Sequence, residues 1–244
     1  AEGDPMRHPL SITDLFTSLY ASTAVCAAIV AQRATGEGRH IDVSLMGGAI
    51  SMLGNMAQYY HATGENPPRM GNGFPTAAPV GAFRASDGGM FYTACGTQKL
   101  YELLVRTALE RPDLVTDERF ATMPDRVANR DELMQILRDA FAGDTRAHWV
   151  DKIRAAGVPA GPVRTLDEVL ESEEVVEAGL VQKIQHPTAG EIRLAGSPIG
   201  LPGAAKPADT PPPLLGEHTD EVLGNVLDLA PAELDDLRNA DVIA

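Results

Sequence analysis

Between Asp14 and Ala34 the chain carries one long apolar run at helical spacing, stopped by Thr35-Gly36-Glu37-Gly38 and followed at once by an alternating stretch from His40 to Leu45. Apolar residues recurring three and four apart make a helix, alternation makes a strand, and glycine supplies the left-handed residue that ends a helix. The result is a helix and strand with no strand before them. Such a unit does not close a sheet, so the chain reads as part of something larger. The stretch from Leu15 to Val30 is interrupted by Thr17, Ser18, Ser22 and Thr23. It is expected to be a buried helix, too short and too polar to span a membrane.

The 244 residues are 44% hydrophobic and 22% charged, enough to bury a sizeable core and too apolar for a disordered chain. A formal net charge of −14 sets up a negative potential that disfavours nucleic acid and anionic membrane surfaces as partners. An anionic ligand would need a local basic pocket, for which only scattered arginines such as Arg7, Arg33, Arg39 and Arg69 offer themselves. No secretion signal pattern opens the sequence, and the two cysteines, Cys26 and Cys95, sit in apolar stretches as expected of buried cytoplasmic thiols. None of the six histidines is spaced from another His, Cys or carboxylate as metal ligands are, so no metal is expected.

Beyond the first unit, a helix is expected from Met46 to Tyr60, then the connection "TGENPPRMGNGFPTAAP". Two short alternating runs around Asp87-Gly88-Gly89 predict a β-hairpin. The text from Thr97 to Glu177 is helical, with helices expected over Lys99 to Leu109, Asp131 to Ala142, Arg146 to Ala156 and Leu166 to Leu170. Thr145 and Thr165 stand where helix caps belong. A second hairpin is expected around Thr188-Ala189-Gly190, then the Pro-rich linker "LPGAAKPADTPPP" and one or two short helices between Glu217 and Leu237. The domain reading is 1–60 for the opening unit and its helix, 61–78 for a linker, 79–182 for a small α+β domain, 183–213 for a returning segment and linker, and 214–244 for a helical tail.

Asp14 is the residue with two meanings. At the head of an apolar helix a carboxylate is most simply a cap or first-turn acid, favoured by the dipole and the free amides. The same amides could hold it ionised and shielded from water, which suits a nucleophile or a proton-abstracting base. Gly36-x-Gly38 precedes a strand and is a turn, not a dinucleotide loop. "RMGNGFP" reads as a linker, or as a mobile glycine loop over a site, with Gly71, Asn72 and Gly73 as the candidate contacts.

Four segments taken together, "SITDLFTSLYAS" with "TGEGRHIDVSL", then "GVPAGPV" and "PLLGEHTDEVL", resemble the family III CoA-transferases, the CaiB/BaiF family, in that order along the chain. The resemblance implies an α/β fold: a Rossmann-like large domain built from the N-terminal part and the C-terminal tail, a small α+β domain inserted between them, and two subunits interlocked as a homodimer. It implies that the chain lacks the N-terminal part of that large domain, with most of the residues that bind CoA. The catalytic carboxylate of the family matches Asp14. The implied reaction moves CoA from an acyl-CoA to a carboxylic acid through an aspartyl anhydride and an aspartyl-CoA thioester, with coenzyme A as substrate and no metal.

Two other readings stand beside it. An acyl-CoA racemase of the same family would use the matching Asp to move the proton α to the thioester, although "DLFTSLY" lacks the glycine cluster that those enzymes tend to carry. A non-catalytic fragment would keep the small domain and the dimer contacts alone.

Overall fold

The computed structural model describes residues 4, 6–200 and 210–243. The chain divides into two compact units, Ala1–Val163 and Arg164–Ala244. Of the span 79–182 read as a small domain, residues 79–163 belong with the first unit and 164–182 with the second.

The first unit opens with α1 (Ile12–Thr35), ended by Gly36 in the left-handed region, whose amide donates to Gln32 O at 2.7 Å. The stretch from His40 to Leu45 is not a strand. Residues 37–44 are irregular, and Leu45 already begins α2 (Leu45–Met52). Alternation describes a segment that could pair, but among the described residues no strand lies beside it to supply the hydrogen bonds. The helix expected from Met46 to Tyr60 is two helices. Gly54, at φ 50°, breaks the path between α2 and α3 (Asn55–Thr63).

From there the chain builds a real core. β1 (Val80–Arg84) and β2 (Met90–Ala94) form the expected hairpin, with Gly88 at φ 78° and the Gly89 amide donating to Asp87 Oδ1 at 3.0 Å. α4 (Gln98–Leu103) runs into one wider π-helical turn, Leu104–Ala108. α5 (Asp113–Thr116), α6 (Met123–Ala128), α7 (Arg130–Phe141), α8 (Arg146–Ala155) and β3 (Ala160–Pro162) follow. β3 pairs antiparallel with β2, so the sheet order is β1-β2-β3. The Thr93 hydroxyl donates to Pro159 O at 2.8 Å, tying the middle strand to the chain that leads into the third. Phe83 and Phe91 point from the sheet onto Phe141 of α7, whose ring stands edge-on to both and to Trp149 of α8 at 5.1 Å. Fully burying side chains of this size contributes about 1.5–3 kcal/mol each.

Arg126 of α6 is completely buried in this core. Its guanidinium donates to Ala78 O, Phe120 O and Gln98 Oε1 and stacks 4.2 Å from the centre of the Tyr101 ring. These contacts fasten the linker, α4 and α6 together. Burial pulls the Arg126 pKa down and pushes the neighbouring Cys95 thiol up to about 12.

The second unit holds α9 (Leu166–Leu170), α10 (Glu173–Glu177), the hairpin β4 (Val181–His186) with β5 (Gly190–Ala195), and the tail helices α11 (Thr219–Leu227) and α12 (Pro231–Asn239). The hairpin turns where expected, with Gly190 at φ 73° and His186 Nδ1 accepting from the Thr188 and Ala189 amides. Most of the Pro-rich linker falls at 201–209, outside the described residues. The described residues make a mixed α/β protein whose two sheets are both antiparallel.

α1 departs from expectation. Of its 24 residues only Thr17 is buried, while Leu15, Leu19, Val25, Ile29 and Val30 are exposed, and so is Cys26. Among the described residues α2 is its main packing partner, and one short helix covers only one side of a long one. By length and composition α1 is long and apolar enough to cross a membrane, so the expectation that this run is too short for a span does not hold. A core helix of a soluble protein meets the same description.

Candidate active site

Asp14 is the third residue of α1, three positions after Ser11, which precedes the helix. It is therefore a first-turn acid and not the cap itself. The Ser11 side chain makes no capping hydrogen bond and the Ile12 amide donates to Leu10 O at 2.9 Å, while the helix dipole favours a negative charge in this turn. Contrary to the shielded site expected, Asp14 is exposed. No hydrogen bond or ion pair engages its carboxylate among the described residues, and its backbone carbonyl accepts from the Ser18 hydroxyl at 2.8 Å. An exposed, unengaged carboxylate at a helix start is open to an incoming electrophile.

The side of α1 one turn beyond Asp14 meets α2. Thr17 is buried there with no partner for its hydroxyl, and it rests directly on Gly48. The Tyr20 hydroxyl hydrogen-bonds to Ser51 Oγ, and the Phe16 and Tyr20 rings stand edge to face at 5.3 Å. Ser44 caps α2 by accepting from the Gly47 amide at 3.0 Å. Tyr20, Asp42, Ser44, Gly47 and Gly48 are among the residues lining a cavity of about 430 Å³ between α1, α2 and the segment that joins them. Sequence reasoning missed Thr17, Tyr20, Gly48 and Ser51. The legible signal was the spacing of Thr17 and Tyr20 behind Asp14, together with the paired glycines at the head of α2.

The glycine loop is a compact turn. The Gly73 amide donates to Met70 O at 2.9 Å, and Gly71 sits at φ 58°, a left-handed conformation that glycine adopts without penalty. Arg130 reaches it from the first residue of α7, donating to Pro75 O at 2.8 Å and to Met70 Sδ at 3.4 Å. Met70, Pro75 and Arg130 help line a second cavity of about 500 Å³. No hydrogen bond or ion pair joins Asp14 to Gly71, Asn72 or Gly73 among the described residues. Arg7, Arg33, Arg39 and Arg69, the candidate anion contacts, are all exposed. Among the described residues no group of three or more His, Cys, Asp or Glu side chains gathers as metal ligands do.

The family model described as CoA-transferase family III matches residues 1–219, and the chain belongs to that family. It is 32% identical over 241 residues to human succinyl-CoA:glutarate CoA-transferase, covering 99% of this chain and 55% of that protein. It is 33% identical over 211 residues to acetyl-CoA:oxalate CoA-transferase of Acetobacter aceti, covering 86% and 52%. A crystal structure of a CaiB/BaiF family protein from Brucella suis superposes with a TM-score of 0.73 at 32% identity, covering 92% of this chain and 57% of that one. The chain spans about half the length of the curated relatives it matches.

Proposed function

We propose that the chain takes part in moving CoA from an acyl-CoA thioester to a carboxylic acid, with Asp14 as the nucleophile. The observation that carries this reading is the free, exposed Asp14 carboxylate in the first turn of α1, in a chain that belongs to CoA-transferase family III and at the place the sequence resemblance assigns to the catalytic carboxylate. Relatives are named for glutarate and oxalate as acceptors, so dicarboxylic acids are the proposed acceptor class.

In the proposed sequence an Asp14 oxygen attacks the thioester carbon, the carbon–sulfur bond breaks, and CoA thiolate leaves an acyl-aspartyl anhydride. The thiolate then attacks the Asp14 carbonyl carbon, expels the donor acid and forms an aspartyl-CoA thioester. The acceptor carboxylate attacks that thioester, releasing thiolate and forming a second anhydride. Attack of the thiolate on the acceptor's acyl carbon gives the new acyl-CoA and frees Asp14. No electron or proton is gained or lost overall. A carboxylate suits every step because it is both a nucleophile and a leaving group. First-turn amides support charge developing beside it. Gly71, Asn72 and Gly73 are the proposed cover of the reacting group.

The reading includes a homodimer with a Rossmann-like layer formed partly by residues 1–60 and 214–244, located in the cytoplasm. The exposed leucines and valines of α1 support a partner surface, since contiguous apolar area of that kind calls for cover.

The test is chemical, made on the chain and on any longer gene product that contains it. After incubation with succinyl-CoA, hydroxylamine should leave a hydroxamate on the peptide containing Asp14. Asp14→Asn should lower transfer by about 10³ or more while leaving the fold intact. Solvent deuterium entering the carbon α to the thioester, with no adduct at Asp14, would instead establish a racemase.

A further inference from the structure

Arg130 is poorly placed for the helix it starts. A cation at a helix N-terminus opposes the dipole. Its Nε is buried and has no partner, and burial holds the pKa of the side chain below its ordinary value. A side chain on the first turn of a helix leans back past the N-terminus, and this one spans to chain 55 and 60 residues earlier. What it gains there is a neutral carbonyl and a thioether, at Pro75 and Met70. Met70 opens the turn that closes at Gly73, and Pro75 lies in the next one, from Phe74 to Ala77. Between them Gly71 is left-handed, Gly73 closes onto Met70, and Phe74 is 38% exposed. The turn also comes near Gly81 of β1, where an added Cβ would meet Met134 Cε at 3.0 Å and Asn72 O at 3.9 Å. One guanidinium thus ties the opening of the glycine turn to the turn that follows it, beside the one residue of β1 that carries no side chain.

We propose that Arg130 is a positioning residue that grips the chain at Met70 and at Pro75, on either side of the glycines, and so fixes where Gly71, Asn72 and Gly73 stand during CoA transfer. The second half of this statement rests on the transferase reading above; the grip itself does not. A guanidinium suits the task because its planar fork engages two acceptors at a fixed separation, whereas an ammonium engages one point at a time.

The experiment has two arms. Hydrogen exchange on the 244-residue chain should show the amides between 70 and 77 exchanging at least about tenfold faster in Arg130→Met than in the parent, with the core from 80 to 163 unchanged. Arg130→Lys should fall between the two. With succinyl-CoA and glutarate as substrates, Arg130→Met should lose at least about tenfold in kcat while KM for succinyl-CoA stays within about threefold, as expected when orientation and not binding is lost. Unchanged exchange at the turn overturns the proposal, and so does faster exchange with the parental kcat. Should Arg130→Met fail to fold, Met70→Leu removes the sulfur foot at nearly constant volume, and exchange at the turn should rise about twofold to threefold; no rise overturns the grip. Failure of the transferase reading shows separately, as absence of a hydroxamate at Asp14.

Discussion

Replacing Gly48 by Ala probes how closely α1 and α2 are fitted beside Asp14. A Cβ built on Gly48 overlaps the Thr17 hydroxyl and lies 3.3 Å from Thr17 Cβ and 3.5 Å from Thr17 Cα. Thr17 is 7% exposed, and a β-branched side chain in a helix has few rotamers with which to step aside. Overpacking of this kind costs about 1–3 kcal/mol, while Ala in place of a helical Gly returns about 1 kcal/mol. The net expectation for Gly48→Ala is a loss of about 0–2 kcal/mol, the difference of those two. In a Thr17→Ala background the offending hydroxyl is gone, along with a buried polar group that has no partner. Gly48→Ala should there be neutral or stabilising by up to about 1 kcal/mol. The coupling energy of the cycle is therefore up to about 3 kcal/mol, against a scatter of about 0.3–0.5 kcal/mol expected of independent sites. Urea unfolding of the four chains, followed by far-ultraviolet circular dichroism to which the 24-residue α1 contributes strongly, measures it. An equal cost of Gly48→Ala in both backgrounds would refute the close fit.

Arg126→Met should destabilise the first unit by about 3 kcal/mol, because the carbonyls of Ala78 and Phe120 lose their donor inside the core; Trp149 fluorescence through a urea titration reads this, and a cost under about 1 kcal/mol would refute it. Cys95 and Tyr101 each have a folded pKa of about 12, raised by burial above ordinary values of 9.0 and 10.0, so both favour the folded state while protonated. That stability is complete below pH 9 and is lost as pH rises toward 12, at up to about 1.4 kcal/mol per pH unit for each group, and a flat stability profile across that window would contradict it. At pH 8 iodoacetamide should modify the exposed Cys26 in the folded chain and reach the buried Cys95 only on unfolding, as peptide mass analysis would show.

Features set by a few neighbouring residues were legible in the sequence. Asp87-Gly88-Gly89 makes its hairpin because the Asp carboxylate takes the Gly89 amide and Gly88 tolerates a positive φ. Thr145 caps α8 by accepting from the His148 amide, and Gly36 stops α1 where the run of helix formers ends. Asp14 belongs to this class as well, since its place in a first turn follows from the residues around it.

Other features depend on what lies across space. The alternation from His40 to Leu45 predicts a strand, but no partner strand lies beside it among the described residues, and a ladder needs two. The apolar run of α1 marked a helix without saying which face would be covered, and Cys26 is exposed as a result. Nothing near Arg130 in the sequence indicates that it reaches Met70 and Pro75, nor does anything near Arg126 show that it closes onto Ala78, 48 residues earlier. Local sequence by itself determined the turns, the caps and the helical position of Asp14, because torsion angles and hydrogen bonds spanning three or four residues are properties of those residues alone. The tertiary structure decided the β1-β2-β3 pairing, the burial of Arg126, the seat of Thr17 on Gly48 and the grip of Arg130, because each joins segments tens of residues apart whose approach is fixed only when the whole core closes around them.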